Sequence, residues 1–363
     1  MSGIDAASLW KQLGQAGLVE GELPAEAEAE SPWYVRTMLG IAGWIGAMFL
    51  LGFVGTGFSL IMKSAGAATV VGALVCTGAT VVYRVKPKGD FINQFAFAVS
   101  LAGQALIGFG LSQIMSSQIS AIAMALGLVE LALFLLVPNF LHRVWTVMAG
   151  VSAFALALNV WGFYFYTQAI VFAAFAWVWL NEFRFPERSA QMRALGYGLV
   201  LLVISDLAAG SSARLLSANW PFYDRSSPIG GVYALWIGSA LVGAIAIWAV
   251  WRLLVRQGVA LSSGPGRAAL GGAVLVGLIS LKAPGIGVTV IILLLGYANG
   301  NRVLTGLGIL SLLAYWSYYY YSLQITLLEK SALLVCAGAA LILARLAMQG
   351  RWPGVVGKDA GHA

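Results

Sequence analysis

Residues Gln118 to Val137 read QISAIAMALGLVELALFLLV, an apolar run with one ionisable side chain, Glu130, and no proline. As a helix this stretch would extend ~30 Å at ~1.5 Å per residue, the thickness of a bilayer's hydrocarbon core. It therefore has the length and polarity of a membrane span. Moving outward in both directions, windows of the same kind recur. Twelve candidates emerge: 37–62, 65–83, 91–112, 118–137, 144–160, 163–180, 194–209, 233–254, 268–282, 286–300, 302–322 and 327–346. The ninth and tenth are short and meet at Lys282-Ala-Pro-Gly285, so a re-entrant pair leaves ten spans as the alternative. The expected fold is an all-α, polytopic transmembrane helix bundle.

Composition points the same way. A chain of 363 residues would suggest two soluble domains at ~150 residues each. Yet 60% of this chain is hydrophobic and only 10% is charged, against about a quarter charged in soluble domains. Too little polar surface remains to cover a water-facing globule. The bundle is expected over residues 36–347, between an N-terminal segment, 1–35, and a short tail, 348–363. Ala6, Leu9, Trp10 and Leu13 fall on one face of a short amphipathic helix that Gly17 and Gly21 end, before an acidic stretch from Glu20 to Glu30. The first thirty residues carry six acids and no long apolar core, so the first span is expected to act as an uncleaved insertion signal.

The net charge of +7 does not mark a nucleic-acid binder, because the basic residues stand singly or in small groups at the ends of apolar segments. With the N-terminus in the cytoplasm and strict alternation, the inner segments hold sixteen Lys and Arg residues and the outer ones five: Lys63, Arg214, Arg225, Lys282 and Lys330. That is the positive-inside bias, and it places both termini inside. Nine of 13 tyrosines then fall at or near the outer face: Tyr164, Tyr166, Tyr223, Tyr233, Tyr315, Tyr318, Tyr319, Tyr320 and Tyr321. They read as an interfacial belt or as an outward aromatic pocket for a sugar, a lipid headgroup or a partner loop.

Catalytic motifs are missing from the sequence. It holds no Walker-type loop, no His-Glu-x-x-His and no Gly-x-Ser-x-Gly, and its two histidines, His142 and His362, suggest no metal site. No cofactor is expected, and Cys76 and Cys336 read as free buried thiols. The loop from Ser262 to Arg267 precedes a helix and reads as a turn or an anion nest. Ionisable groups within the spans are the stronger lead, since burying one in lipid is costly. Glu130, Asp206, Gln104 and Gln168 form the candidate intramembrane polar site, with Asn159 beside them in the fifth span. Glu130 reads either as a clasp bonded to an amide on a neighbouring helix or as part of a proton- or cation-coupled relay. A second candidate site is the outer face: Tyr318, Tyr319, Tyr320, Tyr321, Lys282, Glu329 and Lys330, with Lys282 pairing Glu329 across two hairpins. Gly296 and Gly300 form a Gly-x-x-x-Gly, and Gly40, Gly43, Gly46, Gly52, Gly55 and Gly57 crowd the first span, suited to close helix packing.

Two regions carry a resemblance. One is Ser31-Pro-Trp-Tyr-Val-Arg36 leading into Leu39-Gly-Ile-Ala-Gly-Trp44. The other is Ala283-Pro-Gly285, Gly296-Tyr-Ala-Asn-Gly300, the run from Tyr318 to Ser322, and Thr326-Leu-Leu-Glu-Lys-Ser331. Together they resemble the bacterial membrane proteins grouped as domain of unknown function 4401. The resemblance implies a bacterial inner-membrane location and no defined reaction. It also implies a partner, because members of that family accompany a small membrane-anchored protein with a Gly-Asp-Tyr motif. Two functional classes follow from the sequence: a permease for a small solute or lipid, and a non-enzymatic assembly subunit.

Overall fold

The computed structural model describes residues 6–17, 34–35, 38–46, 48–49, 64–85, 89–116, 118–208, 232–322 and 326–351. All regular structure among them is helical. The helices are α1 (Ala6–Gln15), α2 (Ala65–Arg84), α3 (Asp90–Ile114), α4 (Ile119–Leu136), α5 (Phe140–Val160), α6 (Tyr164–Leu180), α7 (Ser189–Ala208), α8 (Val232–Arg256), α9 (Gly264–Ser280), α10 (Pro284–Ala298), α11 (Arg302–Ser322) and α12 (Leu327–Arg351). Eleven of the twelve apolar windows thus meet a helix along most of their length. Of the first window only 38–46 and 48–49 are described, both helical; Gly52, Gly55 and Gly57 lie outside the described residues. Six helical stretches are long and apolar enough to cross a membrane: Ala65–Arg84, Asp90–Ile114, Ile119–Leu136, Phe140–Val160, Pro186–Leu207 and Trp236–Arg256. The surfaces of these helices remain apolar, with Val70, Leu74, Leu128, Leu131, Leu135 and Ile237 all exposed. Water would penalise so large an apolar exterior; hydrocarbon accepts it.

The chain divides into two compact units, Met1–Ile114 and Met115–Ala363. In the first, α1 ends at Gly17, which takes a positive φ of 68° that glycine adopts without strain. Segment 38–46 lies on α3. Gly43 has no Cβ to collide with the Phe91 carbonyl, which would stand 2.9 Å away, and Trp44 donates Nε1–H to Gln94 Oε1 at 3.3 Å. Helices α2 and α3 pack through Gly72 and Gly103, each facing the other's backbone carbonyl. Cys76 is buried there, as the sequence suggests, whereas Cys336 on α12 is exposed; neither forms a disulfide. Nothing in the apolar run around Cys336 reveals which face turns inward, so burial there was not readable from hydropathy.

In the second unit the core gathers on α6 and α10. Phe172, Phe175 and Trp179 from α6, and Ile291, Ile292 and Leu295 from α10, are almost wholly enclosed. Helices apolar on every side belong in the middle of a bundle. They are also short: at 17 and 15 residues they extend only ~25 Å and ~22 Å, less than the ~30 Å of hydrocarbon. Longer helices surround them, so the surface is indented at both ends of the pair. The two run in the same direction. Thr167 and Gly285, near their N-termini, line one hollow, and Glu182 and Asn299, just past their C-termini, line another.

Helix α9 runs antiparallel to α8, with Gly243 beside Gly277, and α10 then returns between α6 and α11. The loop before α9 acts as a helix cap: Ser263 Oγ accepts from the Gly266 N–H at 3.1 Å. Gly296 and Gly300 serve a turn. A Cβ on Gly296 would stand 2.6 Å from the Thr305 backbone nitrogen, and Gly300 has a φ of 63° that reverses the chain into α11.

Candidate functional site

Five helices, α5, α6, α7, α8 and α10, converge on the hollow at the N-terminal ends of α6 and α10. Asn159 comes from the last turn of α5, Thr167 and Gln168 from the first turns of α6, Asp206 from the last turn of α7, and Gly285 and Val288 from α10. They surround a cavity of about 100 Å³. Gln168 donates its Nε2–H to Asp206 Oδ2 at 3.1 Å. Thr167 is buried and bonds its own helix, donating to the Phe163 carbonyl at 2.9 Å. Asn159 Oδ1 is buried and has no hydrogen-bond partner among the described residues. Buried polar atoms are satisfied in most proteins, so an acceptor of this kind on a cavity wall fits a small donor-bearing guest. The rest of the wall is apolar, with Ala155, Val171, Phe172, Leu202, Val203, Leu207 and Val242. Low polarity around a carboxylate strengthens its pull on a cation.

The four residues expected to form one intramembrane site are therefore split. Gln168 and Asp206 meet. Gln104 belongs to the first unit, where it donates to Ser100 Oγ at 3.3 Å within α3. Glu130 packs on α5 at Gly150, whose added Cβ would lie 2.9 Å from the Glu130 Cβ, and it is absent from the walls of both hollows. Gly150 and Asn159 are separated by roughly 13.5 Å along α5, at ~1.5 Å per residue. Among the described residues no amide bonds Glu130, whose Oε2 is buried with no partner there. Helix register explains the division, since each of these residues faces a different neighbour.

The outer-face group also differs from the expected charged patch. Glu329 closes a capping box, accepting from the N–H and the hydroxyl of Thr326, both at 2.9 Å. Lys282 Nζ lies 4.9 Å above the Trp236 ring, and Lys330 Nζ lies 5.1 Å above the Tyr320 ring. Lys282 and Glu329 are thus engaged separately, one with a ring and the other with a helix cap. Tyr319 stacks on Tyr315 at 6.2 Å. Tyr315 is itself buried against Gly285 at the cavity end. Tyr318 and Tyr321 are exposed.

A second polar cluster, at the opposite end, joins residues of which the sequence motifs had included only Asn299. Arg193 Nε donates to Glu182 Oε1 at 2.9 Å. Asn299 Nδ2 donates to the Trp179 carbonyl at 2.9 Å and to Glu182 Oε2 at 3.3 Å. Arg256 Nη1 donates to Asn299 Oδ1 at 3.0 Å, and Tyr197 donates to Asn301 Oδ1 at 2.9 Å. One signal was available in the sequence: two asparagines flanking Gly300, at the end of an apolar run, after a distant Asn181-Glu182 in the same setting. The arginines were legible only as topology charges. Among the described residues no group of three or more His, Cys, Asp or Glu side chains is placed to hold a metal ion.

The family model described as Domain of unknown function (DUF4401) matches residues 32–350. No curated protein matches the chain, and no solved structure matches it. The apolar helices, the lipid-compatible exterior and this match, which spans most of the chain, together make it a membrane protein belonging to the DUF4401 family.

Proposed function

We propose that the protein is a permease-like transporter whose solute is a small cation or protonated amine, held at the cavity of Asp206, Gln168 and Asn159. The observation that carries this reading is the pairing of a carboxylate with an unsatisfied buried acceptor in one cavity. About 100 Å³ corresponds to roughly three waters at ~30 Å³ each, which suits a partly dehydrated cation or a methylated amine. Short central helices that stop inside the membrane and leave polar ends exposed to a cavity are a known solution to ion and solute binding. The reading includes no catalytic step.

The accompanying topology has twelve spans in a bacterial inner membrane, with segment 1–35 and tail 348–363 in the cytoplasm. The sixteen-to-five charge split supports it. So does the sorting of side chains in the second unit: Arg193 and Arg256 meet at one end, whereas Lys282, Trp236 and Tyr315 lie at the other.

The test is flux into vesicles reconstituted with the purified protein, using potassium, sodium, ammonium and methylammonium as probes. At least one should enter saturably, and Asp206→Asn should lower that flux about tenfold or more, the equivalent of ~1.4 kcal/mol. Absence of protein-dependent flux for all four probes would remove the cation reading. A second reading, an assembly subunit that receives a small membrane-anchored partner, rests on the exposed Trp316, Tyr318 and Tyr321 of α11.

A further inference from the structure

The hollow at the C-terminal ends of α6 and α10 has the opposite chemistry to the cavity. It is a groove of about 530 Å³ between the α6–α7 connection and the α10–α11 turn. Glu182 is the carboxylate on its wall, and both oxygens are occupied, Oε1 by Arg193 and Oε2 by Asn299. Arg193 spends only its Nε on that contact. Its side chain is 54% exposed, and its terminal nitrogens make no further hydrogen bond among the described residues. Arg302 also lines the groove and is exposed, with no hydrogen bond or ion pair among the described residues. Arg256 stands beside them, bonded to Asn299 and 5.4 Å from the Phe183 ring. One neutralised carboxylate against three guanidiniums leaves the groove strongly positive. Helices α7 and α11 both begin here, at Ser189 and Arg302, and their N-terminal partial charges offset the C-terminal ones of α6 and α10, so the arginines set the sign of the field.

The rim is apolar. Phe140, Phe183 and Val303 line the groove and are all more than half or about half exposed, at 50%, 57% and 62%. A free anion gains nothing from such a rim, but a molecule with a phosphate and hydrocarbon chains uses both parts. We propose that this groove binds an anionic phospholipid, its headgroup phosphate between Arg193 and Arg302 and its acyl chains along Phe140, Phe183 and Val303. Guanidinium forks suit phosphate oxygens because they offer paired N–H donors in one plane. This site is independent of the Asp206 cavity, at the other end of the same core helices.

The experiment uses the full chain purified in maltoside detergent and native mass spectrometry with added phosphatidylglycerol or phosphatidylcholine, and inorganic phosphate as competitor. Wild type should retain phosphatidylglycerol in preference to phosphatidylcholine. Arg302→Gln should reduce that retention about fivefold, as expected for one arginine at ~1 kcal/mol near an anionic headgroup. Because Arg302 is exposed and makes no hydrogen bond or ion pair among the described residues, the variant should elute and melt like wild type. Val303→Asp, which places a negative charge on the rim, should give a similar loss and stands in if Arg302→Gln inserts poorly. Equal retention of both lipids, or undiminished phosphatidylglycerol on both variants, would overturn the proposal. Displacement of phosphatidylglycerol by millimolar inorganic phosphate would assign the groove to a free anion and overturn the lipid assignment.

Discussion

Asn299 reaches across 117 residues of sequence to bond Glu182, donating to the carboxylate at 3.3 Å while Arg193 holds its other oxygen at 2.9 Å. The contact ties the end of α10 to the end of α6 and closes the core on that side. Removing one partner from a buried ion pair leaves the other charge unsatisfied. Arg193→Ala should therefore destabilise the protein by about 1–3 kcal/mol, less than a fully buried pair because the guanidinium is half in solvent. The double variant Arg193→Met with Glu182→Leu should recover most of that loss. Thermal midpoints in detergent measure both; a double variant no better than the single one contradicts the assignment.

Glu130 and Asp206 should separate under the same substitution chemistry. Glu130→Gln keeps the size of a side chain whose Oε2 has no hydrogen-bond partner among the described residues and which touches no cavity wall, so folding and flux should both persist. Asp206→Asn should leave folding intact and lower cation flux. Side-by-side vesicle assays decide it, and loss of flux in Glu130→Gln with normal flux in Asp206→Asn would reverse the two roles.

Gly285 is a packing position with a built-in control. A Cβ there would overlap the Tyr315 ring, and overpacking of this kind typically costs ~1–3 kcal/mol. Gly285→Ala should lower the thermal midpoint, and adding Tyr315→Leu should restore part of it. The pair is expected to be non-additive because the two residues touch. Simple additivity in the melting data would mean the ring does not occupy that space.

Reporter fusions at Lys88, Arg188 and Ser227 test the membrane topology. The first two should report cytoplasm and the third the outside, following the positive-inside distribution. An external signal at Lys88 would break the alternation at its second inner segment.

On the aromatic face, Tyr319 and Tyr320 should not behave alike. Tyr319 stacks on buried Tyr315, whereas Tyr320 lies under Lys330. Tyr319→Ala should lower stability, and Tyr320→Ala should leave it nearly unchanged. If the face receives a partner, Tyr320→Ala or Tyr321→Ala should reduce co-purification of that protein from detergent extracts. Recognition anchors typically cost more than ~2 kcal/mol when truncated, whereas belt residues cost little. Wild-type co-purification in both variants would identify the tyrosines as a belt.

The amino-acid sequence by itself determined that this chain is a bundle of apolar helices in a membrane, because each helix satisfies its own backbone hydrogen bonds and its length is set by local hydropathy. Helices matched eleven of the twelve windows for that reason, and Gly17 ended α1 because a positive φ is a property of one residue. The family was legible in the motifs around Trp44, Gly285, Gly300 and Glu329. Tertiary structure decided which polar residues meet. Gln168 joined Asp206 while Glu130 turned to Gly150, and Glu182 found Asn299 and Arg193, although hydropathy treated all of them alike as polar interruptions or loop charges. Hydropathy sums over a window and discards the direction in which a side chain points. In lipid every face of a helix is apolar, so the pattern that marks the inward face of a soluble helix is largely lost. Only the packing of α6 and α10 at the centre, and their shortness relative to the helices around them, determined where the two hollows would form.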